Sequence, residues 1–198
     1  MIVRPTWIVV CALALGLGLA ACGGSKATHK AGSEAAGLSF ADSNNNGAYV
    51  QADSVTYQLQ ISRVLNPYGA EDSQYVNGLP AATTAPTADQ EWYGVFLWAK
   101  NQTATPQTTS DKFVIVDTQG VKYYPVNLNP TVNPYAWTAR TLAPLATEPG
   151  PATTAANGPT QGQLLLFKIN NSAFANRPLT LDILGSSDQT LATISLDL

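Results

Sequence analysis

Apolar and polar residues alternate along much of the chain from residue 48 onward, and this period of two is typical of half-buried β-strands. The clearest alternation places its apolar positions at Val55, Tyr57, Leu59 and Ile61. Residues 48–50 are expected to pair with this strand through a turn at Ala52-Asp53. The pattern therefore predicts that the folded part of the chain opens with a β-hairpin.

Residues 92–100 form a strand that is apolar on both faces. One face carries Tyr93, Val95 and Leu97, and the other carries Trp92, Phe96 and Trp98. Such a strand is expected to be central and covered on both sides. An exposed patch at Phe96 and Trp98 is the alternative, but large exposed apolar patches are rare on monomers, so coverage by the opposite sheet or by residues 66–90 is favoured.

Further strands follow in the second half of the chain. Residues 112–116 and 121–126 flank Asp117-Thr118-Gln119-Gly120, a hairpin turn in which the glycine supplies a positive φ. Three more strands are predicted at residues 163–169, 179–183 and 192–196. Seven to nine short strands, prolines mostly between them and no convincing helical period predict an all-β sandwich or barrel with long connections at 66–90 and 127–161.

The first 22 residues indicate an export signal. After Arg4, the apolar run of residues 7–19 is shorter than the roughly 20 residues that a membrane span needs. Leu19-Ala20-Ala21-Cys22 resembles the bacterial lipobox, which implies cleavage between Ala21 and Cys22 and a diacylglycerol thioether on Cys22, with a further palmitate-type chain on its amine. An ordinary secretory signal is the alternative.

These patterns divide the chain into three parts. Residues 1–21 are the predicted lipoprotein signal peptide, and residues 22–47 are a lipidated cysteine followed by a flexible tether rich in Gly, Ser and Ala. Residues 48–198 are the predicted β-domain. Two or more acyl chains at Cys22 would anchor this domain stably to the extracytoplasmic face of the cell membrane, since each buried methylene contributes about 0.8 kcal/mol.

Charge and composition exclude several functions. Once Arg4 leaves with the signal, the remaining 177 residues carry a formal charge of −4, which argues against electrostatic nucleic-acid binding. The β-domain contains no cysteine, so it cannot form a disulfide. It also lacks methionine, and the single histidine, His29, lies in the tether, so the usual copper and zinc ligands are missing.

The order of these elements resembles a known group of proteins. The order is Val55-Thr56-Tyr57, a long strand ending at Lys100-Asn101, the Asp117-x-x-Gly120 hairpin and a final segment containing Gln161-Gly162-Gln163-Leu164-Leu165-Leu166-Phe167. It is similar to the immunoglobulin-like domains of unknown function in many bacterial lipoproteins, especially of actinobacteria. The resemblance implies an immunoglobulin-like antiparallel β-sandwich over residues 48–198, outside the cytoplasm, and it supplies no catalytic residues.

One segment formally fits a calcium loop. Asp42, Asn44 and Asn46, with Asp53 at the twelfth position, have the oxygen-ligand spacing of such a loop around Gly47. No helical pattern flanks the segment, and Asp53 also suits the turn between two strands. An Asn/Gly-rich turn is therefore the favoured interpretation, and the metal site stays an alternative.

The tripeptide Asn-Pro-Tyr occurs in each long connection, at residues 66–68 and 133–135. Tyr68 and Tyr135, together with Trp137, are candidates for a partner-binding surface, because aromatic side chains give large contact areas at low entropic cost. The alternative is that Asn-Pro begins a turn and each tyrosine caps the core. We weigh this alternative as the stronger of the two.

The sequence offers little for catalysis. A serine nucleophile needs a base, and the β-domain has no histidine to serve as one. Carboxylate pairs such as Glu71/Asp72 or Asp89/Glu91 are what a glycoside hydrolase requires, but adjacent loop acids are more often simply solvated. We therefore predict a non-enzymatic interaction module that needs no cofactor and binds an envelope protein or glycan. The alternative is a lipoprotein that binds a small ligand or calcium, which a cavity between the sheets would favour.

Overall fold

A computed structural model describes residues 39–42 and 49–196 of the chain. The strands in these ranges are β1 (Ser39–Asp42), β2 (Tyr49–Ala52), β3 (Val55–Leu65), β4 (Gln90–Asn101), β5 (Gln107–Thr108), β6 (Lys112–Val116), β7 (Lys122–Tyr123), β8 (Pro125–Val126), β9 (Thr141–Leu142), β10 (Thr147–Glu148), β11 (Gln163–Asn170), β12 (Thr180–Leu184) and β13 (Thr190–Ser195). A four-residue α-helix, α1 (Thr154–Asn157), and two 3-10 turns (Ser73–Val76 and Asn171–Ala175) complete the elements of this part. Within it, no helix has the length and apolar character to cross a membrane.

The strands form a β-sandwich, which confirms the predicted all-β fold class. Sheet A has the order β1-β13-β12-β6-β7, and sheet B has the order β2-β3-β4-β11-β8, with β10 also paired to β4. Strands β5 and β9 form a separate two-stranded ladder. Eight of the strands in the described ranges have four or more residues, within the predicted seven to nine. One departure is that β1 runs parallel to β13, whereas an antiparallel sandwich was expected.

Strand β4 is central, as its two apolar faces predict. It pairs with β3 on one edge and with β11 and β10 on the other. One face points toward sheet A and helps to form the inter-sheet core, whose larger members include Tyr57, Tyr93, Leu97, Phe113, Ile115, Phe167, Leu181, Ile183 and Ile194. The core residues of β12 and β13 alternate with more exposed ones, as the period of two predicts.

The other face of sheet B is covered by the two long connections. They contribute Tyr75, Leu128, Tyr135, Ala136 and Ala155 to a second cluster, the outer core, which packs on Leu65, Trp92, Phe96, Leu164 and Leu166. Phe96 is fully buried there, so the expected coverage is confirmed at Phe96, whereas Trp98 is half-buried and is not a member of this cluster. The domain therefore has three layers, namely sheet A, sheet B and a layer of connections.

The alternation predicted for β3 is wrong beyond Leu59. The register with β4 shifts between Leu59 and Ile61, because a β-bulge places an extra residue on β3. One extra residue reverses which side chains face inward, so Ile61 is 37% exposed while Ser62 is buried. The shift also places Leu65 opposite Trp92 on the face that the outer core covers.

The hairpin at residues 117–120 is confirmed, but its second arm differs from the prediction. Gly120 has a φ of +79°, and the Asp117 carboxylate accepts hydrogen bonds from the backbone N–H groups of Gln119 and Val121, both at 2.9 Å. The predicted strand 121–126 is two short pieces. Strand β7 pairs with β6 in sheet A, while β8 pairs with β11 in sheet B, so this arm crosses between the sheets at Tyr124.

Candidate functional site

The two Asn-Pro-Tyr tripeptides form the same local turn. The backbone N–H of Tyr68 donates to Oδ1 of Asn66 at 3.0 Å, and that of Tyr135 donates to Oδ1 of Asn133 at 3.0 Å. These are Asx turns, in which a side-chain carbonyl replaces a backbone acceptor, and the intervening proline fixes its own φ. Any difference between the two tyrosines must therefore come from their surroundings.

Tyr135 is a core residue. It is 3% exposed, its ring packs edge-on against Tyr75 with centroids 4.8 Å apart, and its hydroxyl donates to Oε1 of Gln74 at 3.0 Å. Burial, together with the neighbouring Tyr75, raises the pKa of the Tyr135 hydroxyl. Its assignment to a partner surface is wrong, because the outer core uses the whole ring; the alternative, that the tyrosine caps the core, holds here.

Asn133 explains why this turn is drawn inward. Its side chain is fully buried, and Nδ2 donates to the backbone carbonyls of Tyr75 and Asn77, both at 3.0 Å. One asparagine thereby joins the second connection to the first and satisfies backbone groups that lie beside the outer core. Asn66, in the corresponding position of the first tripeptide, is exposed.

Trp137 also packs inside the domain. It is half-buried, its Nε1 donates to the backbone carbonyl of Ser110 at 3.0 Å, and its ring packs edge-on against Phe113 with centroids 5.2 Å apart. A second ring contact joins it to Tyr57. Its proposed place on a partner surface is therefore corrected, because its indole packs against the inter-sheet core.

Tyr68, in contrast to Tyr135, is almost fully exposed: 94% of its surface is accessible to solvent. The turn that presents it is well fixed, because the N–H of Gly69 donates to the carbonyl of Asn66 at 2.9 Å, in addition to the Asx bond. Of the three residues predicted for a partner surface, Tyr68 is the one whose aromatic side chain is exposed on a fixed turn.

A groove of about 590 Å³ lies beside Tyr68. It runs between the end of β3, the connection 66–90 and the start of β4, and we call it the Tyr68 groove. Its apolar lining includes Val64, Pro67, Tyr68, Val76, Leu79, Pro86 and Trp92, and its polar lining includes Asn66, Thr83, Thr87, Gln90 and Glu91. A mostly apolar concavity with a few polar groups, of a volume between about 300 and 1,000 Å³, is typical of ligand sites.

Ionic hydrogen bonds fix the Asn66 end of the groove. Arg63 on β3 donates to both carboxylate oxygens of Asp72, with Nη2–Oδ1 at 2.6 Å and Nη1–Oδ2 at 3.0 Å. Oδ2 of Asp72 also accepts the backbone N–H of Asn66 at 2.9 Å. This bidentate pair holds the pKa of Asp72 below its usual value and ties the Tyr68 turn to the sheet.

The far wall is fixed from β11. Nζ of Lys168 donates to the backbone carbonyl of Thr84 at 3.2 Å and to its hydroxyl at 3.0 Å. Lys168 pairs in register with Trp92, so the loop near Thr84 is attached to the strand that neighbours β4. Hydrogen bonds at Asp72 and at Thr84 thus attach the connection 66–90 to sheet B at two points. The groove is therefore a fixed feature of the folded domain.

One member of each candidate carboxylate pair, Asp72 and Asp89, is engaged by a hydrogen bond within the domain. Asp72 is held by Arg63, and its lowered pKa is the reverse of what a general acid requires. Asp89 accepts a hydrogen bond from the hydroxyl of Thr87, which lowers its pKa as well. Only Glu91 of this set lines the groove.

The calcium alternative is answered only in part. Asp53 lies in the turn between β2 and β3 with a φ of +51°, as the turn interpretation expects, and Asp42 ends β1. Asn44 and Asn46 lie outside the described residues. Among residues 49–196, no three His, Cys, Asp or Glu side chains are grouped to hold a metal ion. Ala21 and Cys22, with the rest of the predicted signal, also lie outside the described ranges.

Glu148 is a buried acidic residue that the sequence pattern did not indicate. Its side chain is 1% exposed, Nε2 of Gln163 donates to its Oε1 at 2.7 Å, and Nε of Arg140 lies 2.8 Å from its Oε2 as an ion pair outside hydrogen-bond geometry. Burial raises the pKa of this carboxyl. Glu148 lies opposite Ala99 of β4, and we treat it as a structural residue.

Comparison with known proteins gives structural neighbours of low similarity. No family model matches the chain, and no curated protein matches it. The yjhA protein from Bacillus subtilis is 12% identical, with a TM-score of 0.46 over 75% of this chain and 96% of that one. An uncharacterized β-sandwich protein from Clostridium difficile 630 is 10% identical, with a TM-score of 0.41 over 81% of this chain and 96% of that one.

Proposed function

We propose that this chain is a lipid-anchored lipoprotein of the extracytoplasmic face of the cell membrane, with an immunoglobulin-like sandwich that acts as a non-enzymatic binding module. The lipobox at residues 19–22 supports the anchor, and the Tyr68 groove supports the binding role. Its partner is an envelope component that inserts against Tyr68.

The contrast between Tyr68 and Tyr135 is the observation that carries the binding role. Both rings follow the same Asx turn, yet one is 94% exposed and the other 3%. The turn itself therefore does not force Tyr68 outward. Since tyrosine offers a large contact area for the loss of few torsional freedoms, a ring held rigidly beside an apolar groove has the properties of an interface anchor.

A small-molecule ligand is the second candidate, and the volume of the groove supports it. The groove lies between sheet B and the connection 66–90. A cavity between the two sheets was the feature expected to favour a small ligand, and the groove is not in that place. A macromolecular partner fits the exposed ring better, because a ligand enclosed in the groove would leave most of Tyr68 in water.

Photocrosslinking in the native cells tests the binding role. A benzophenone amino acid is placed at position 68 and, as the matched control, at position 124, where the native tyrosine is 63% exposed and is not among the residues that line the groove. We expect a reproducible adduct, identified by mass spectrometry, at position 68 and none at position 124. Equal adducts at both positions, or none at either, would contradict a partner at the groove.

The anchor is tested separately. Cys22→Ala removes the sulfur that would carry the lipid, so we expect the protein to leave the membrane fraction and to lose the incorporation of labelled palmitate. Cys11→Ala is the matched control, since this cysteine lies inside the predicted signal and is expected to have no effect on either readout. Unchanged incorporation of labelled palmitate in the Cys22 variant would rule out lipidation at this cysteine.

A further inference from the structure

The lining of the Tyr68 groove offers neutral polar groups that are not used inside the domain. Within the part of the chain that the structure describes, the hydroxyls of Tyr68 and Thr83 and Nδ2 of Asn66 form no hydrogen bond. An amide N–H donates, and a hydroxyl both donates and accepts. These three groups can therefore bond to the hydroxyls of a ligand, and none of them carries a charge.

Charged side chains do not add to this lining. Among the described residues that border the groove, Glu91 is the one with a charge. It pairs in register with Ile169 of the inter-sheet core, so its side chain leaves β4 on the face opposite that of Trp92. Arg63 and Asp72 bind each other through two hydrogen bonds. A ligand in the groove therefore meets uncharged groups.

Tyr68 adds a flat apolar surface to these polar groups. Its ring is 94% exposed on a fixed turn, beside apolar lining from Pro67 and Pro86. A sugar ring has a face of C–H groups and a rim of hydroxyls, so it can pack on an aromatic ring while its rim bonds to donors and acceptors. A wholly apolar segment would instead cover the neutral polar groups without replacing their bonds to water.

The groove lies at the end of the sandwich where β3 and β13 finish. The turn before β3, at Asp53, and the turn before β13, at Gly185 and Ser186, line one cavity of about 310 Å³, so both strands begin at the same end. Toward their other end, the hydroxyl of Ser62 donates to the backbone carbonyl of Leu196 at 3.4 Å. The two strands therefore run in the same direction, toward the groove.

Strand β1 begins at the opposite end. Ser39 pairs with Ala192, near the start of β13. The strands advance by four residues from Ala192 to Leu196 and by three from Ser62 to Leu65 at the groove, so the groove lies roughly 20–25 Å beyond Ser39 along the strands. Because residues 22–38 precede Ser39, a lipid on Cys22 would join the domain at the end away from the groove.

On the basis of the proposed function, we propose that the Tyr68 groove binds an uncharged polysaccharide on the side of the domain turned away from the membrane. One sugar ring packs its C–H face on Tyr68, and its hydroxyls bond to Asn66 and Thr83. The uncharged lining favours neutral sugars over ionic groups, and the place of the groove favours a partner beyond the anchored end over the lipid surface.

Soluble oligosaccharides test this assignment on the full chain in a detergent without sugar groups, such as a polyoxyethylene ether. The neutral probes are hexasaccharides of glucose, mannose and N-acetylglucosamine, and the charged probes are hexamers of galacturonate and glucosamine. Saturation-transfer NMR detects contact, and titration gives the dissociation constants. We expect at least one neutral hexasaccharide to bind through its C–H protons, with an affinity that stays constant between about 0.02 and 0.5 M salt, and the charged hexamers to bind no more tightly.

Variants separate the ring from the polar contacts. Tyr68→Ala is expected to weaken binding at least about tenfold, whereas Tyr68→Phe keeps the ring and should stay within about threefold of the native chain. Thr83→Val removes one hydroxyl at nearly constant shape and should weaken binding about two- to tenfold. Tyr124→Ala is the matched control for loss of an exposed ring, and Glu91→Gln tests the uncharged character of the site; neither is expected to change binding.

Three results would overturn the inference: no binding of any neutral hexasaccharide, a preference for a charged hexamer that salt removes, or equal binding by Tyr68→Ala and the native chain. The photocrosslink at position 68 distinguishes this failure from that of the proposed function. We expect an adduct whose mass rises in steps of one sugar unit. An adduct made of a second protein alone would leave the groove as a binding site and remove the polysaccharide, whereas the absence of an adduct would remove the binding role itself.

Discussion

Asn133→Ala tests whether the layer of connections depends on one buried side chain. The substitution removes the partners of three backbone groups, namely the carbonyls of Tyr75 and Asn77 and the N–H of Tyr135. A buried group left without a partner costs about 1–3 kcal/mol. Water can reach the Asn77 carbonyl in part, so we expect the free energy of unfolding to fall by about 3–5 kcal/mol, a large share of the 5–15 kcal/mol of a typical domain.

Asn66→Ala is the matched control, because it removes the same Asx bond from the same tripeptide at an exposed position. Water replaces the lost partner there, so the expected cost is only about 0.5–1.5 kcal/mol. Equilibrium urea unfolding of the full chain, followed by tryptophan fluorescence, gives both values. Hydrogen exchange of the Asn133→Ala variant should also show faster exchange in residues 66–90 than in the strands of sheet A.

The two variants differ only in what surrounds the turn, so their difference isolates the buried bonds. Losses that agree within about 0.5 kcal/mol would refute the reasoning, since the buried amide would then contribute no more than an exposed one. A large loss of stability without faster exchange in residues 66–90 would contradict the claim that Asn133 keeps the connection 66–90 in place.

Two further predictions concern packing and titration. Gly94→Ala places a methyl group 2.9 Å from Cδ1 of Leu65 and 3.1 Å from Cδ1 of Leu164, so it should cost about 1–3 kcal/mol in urea unfolding; adding Leu65→Val should recover part of that loss, and strictly additive effects would contradict a clash. Burial holds the pKa of Glu148 above its ordinary value of 4.5, so the folded state keeps a proton that the unfolded state releases. The free energy of unfolding should therefore fall as the pH rises from 4.5 through the folded pKa, and Glu148→Gln should flatten this fall; an unchanged slope would contradict it.

Strands can be predicted from the sequence where the burial of their side chains depends only on the strand itself and its immediate neighbours. Strand β4 has apolar residues on both faces, and this pattern alone implies that other parts of the domain cover both faces. The pattern does not say which segments provide that cover. The bulge in β3 is different, because it depends on the register with β4 and on the need to place Leu65 under the outer core. An alternation read from Val55 to Leu59 contains no information about that requirement.

The candidate site shows the same division between local and distant causes. Asn-Pro-Tyr predicts the turn at both positions, and both turns form. Which tyrosine is buried depends on Asn133 reaching the carbonyls of Tyr75 and Asn77, almost 60 residues away in the chain. The groove lies between the end of β3, the connection 66–90 and the start of β4, so its volume and its lining cannot be derived from the spacing of residues in the sequence.

The parallel pairing of β1 with β13 has a mechanical consequence. Ser39 pairs with Ala192 and Asp42 with Ser195, so the N-terminal end of β1 and the C-terminal end of β13 lie at opposite ends of the ladder. A pull between the segment before Ser39 and the segment after Ser195 would load all the ladder bonds together in shear. An antiparallel pair, in which those two ends lie side by side, would instead unzip one bond at a time under the same tension.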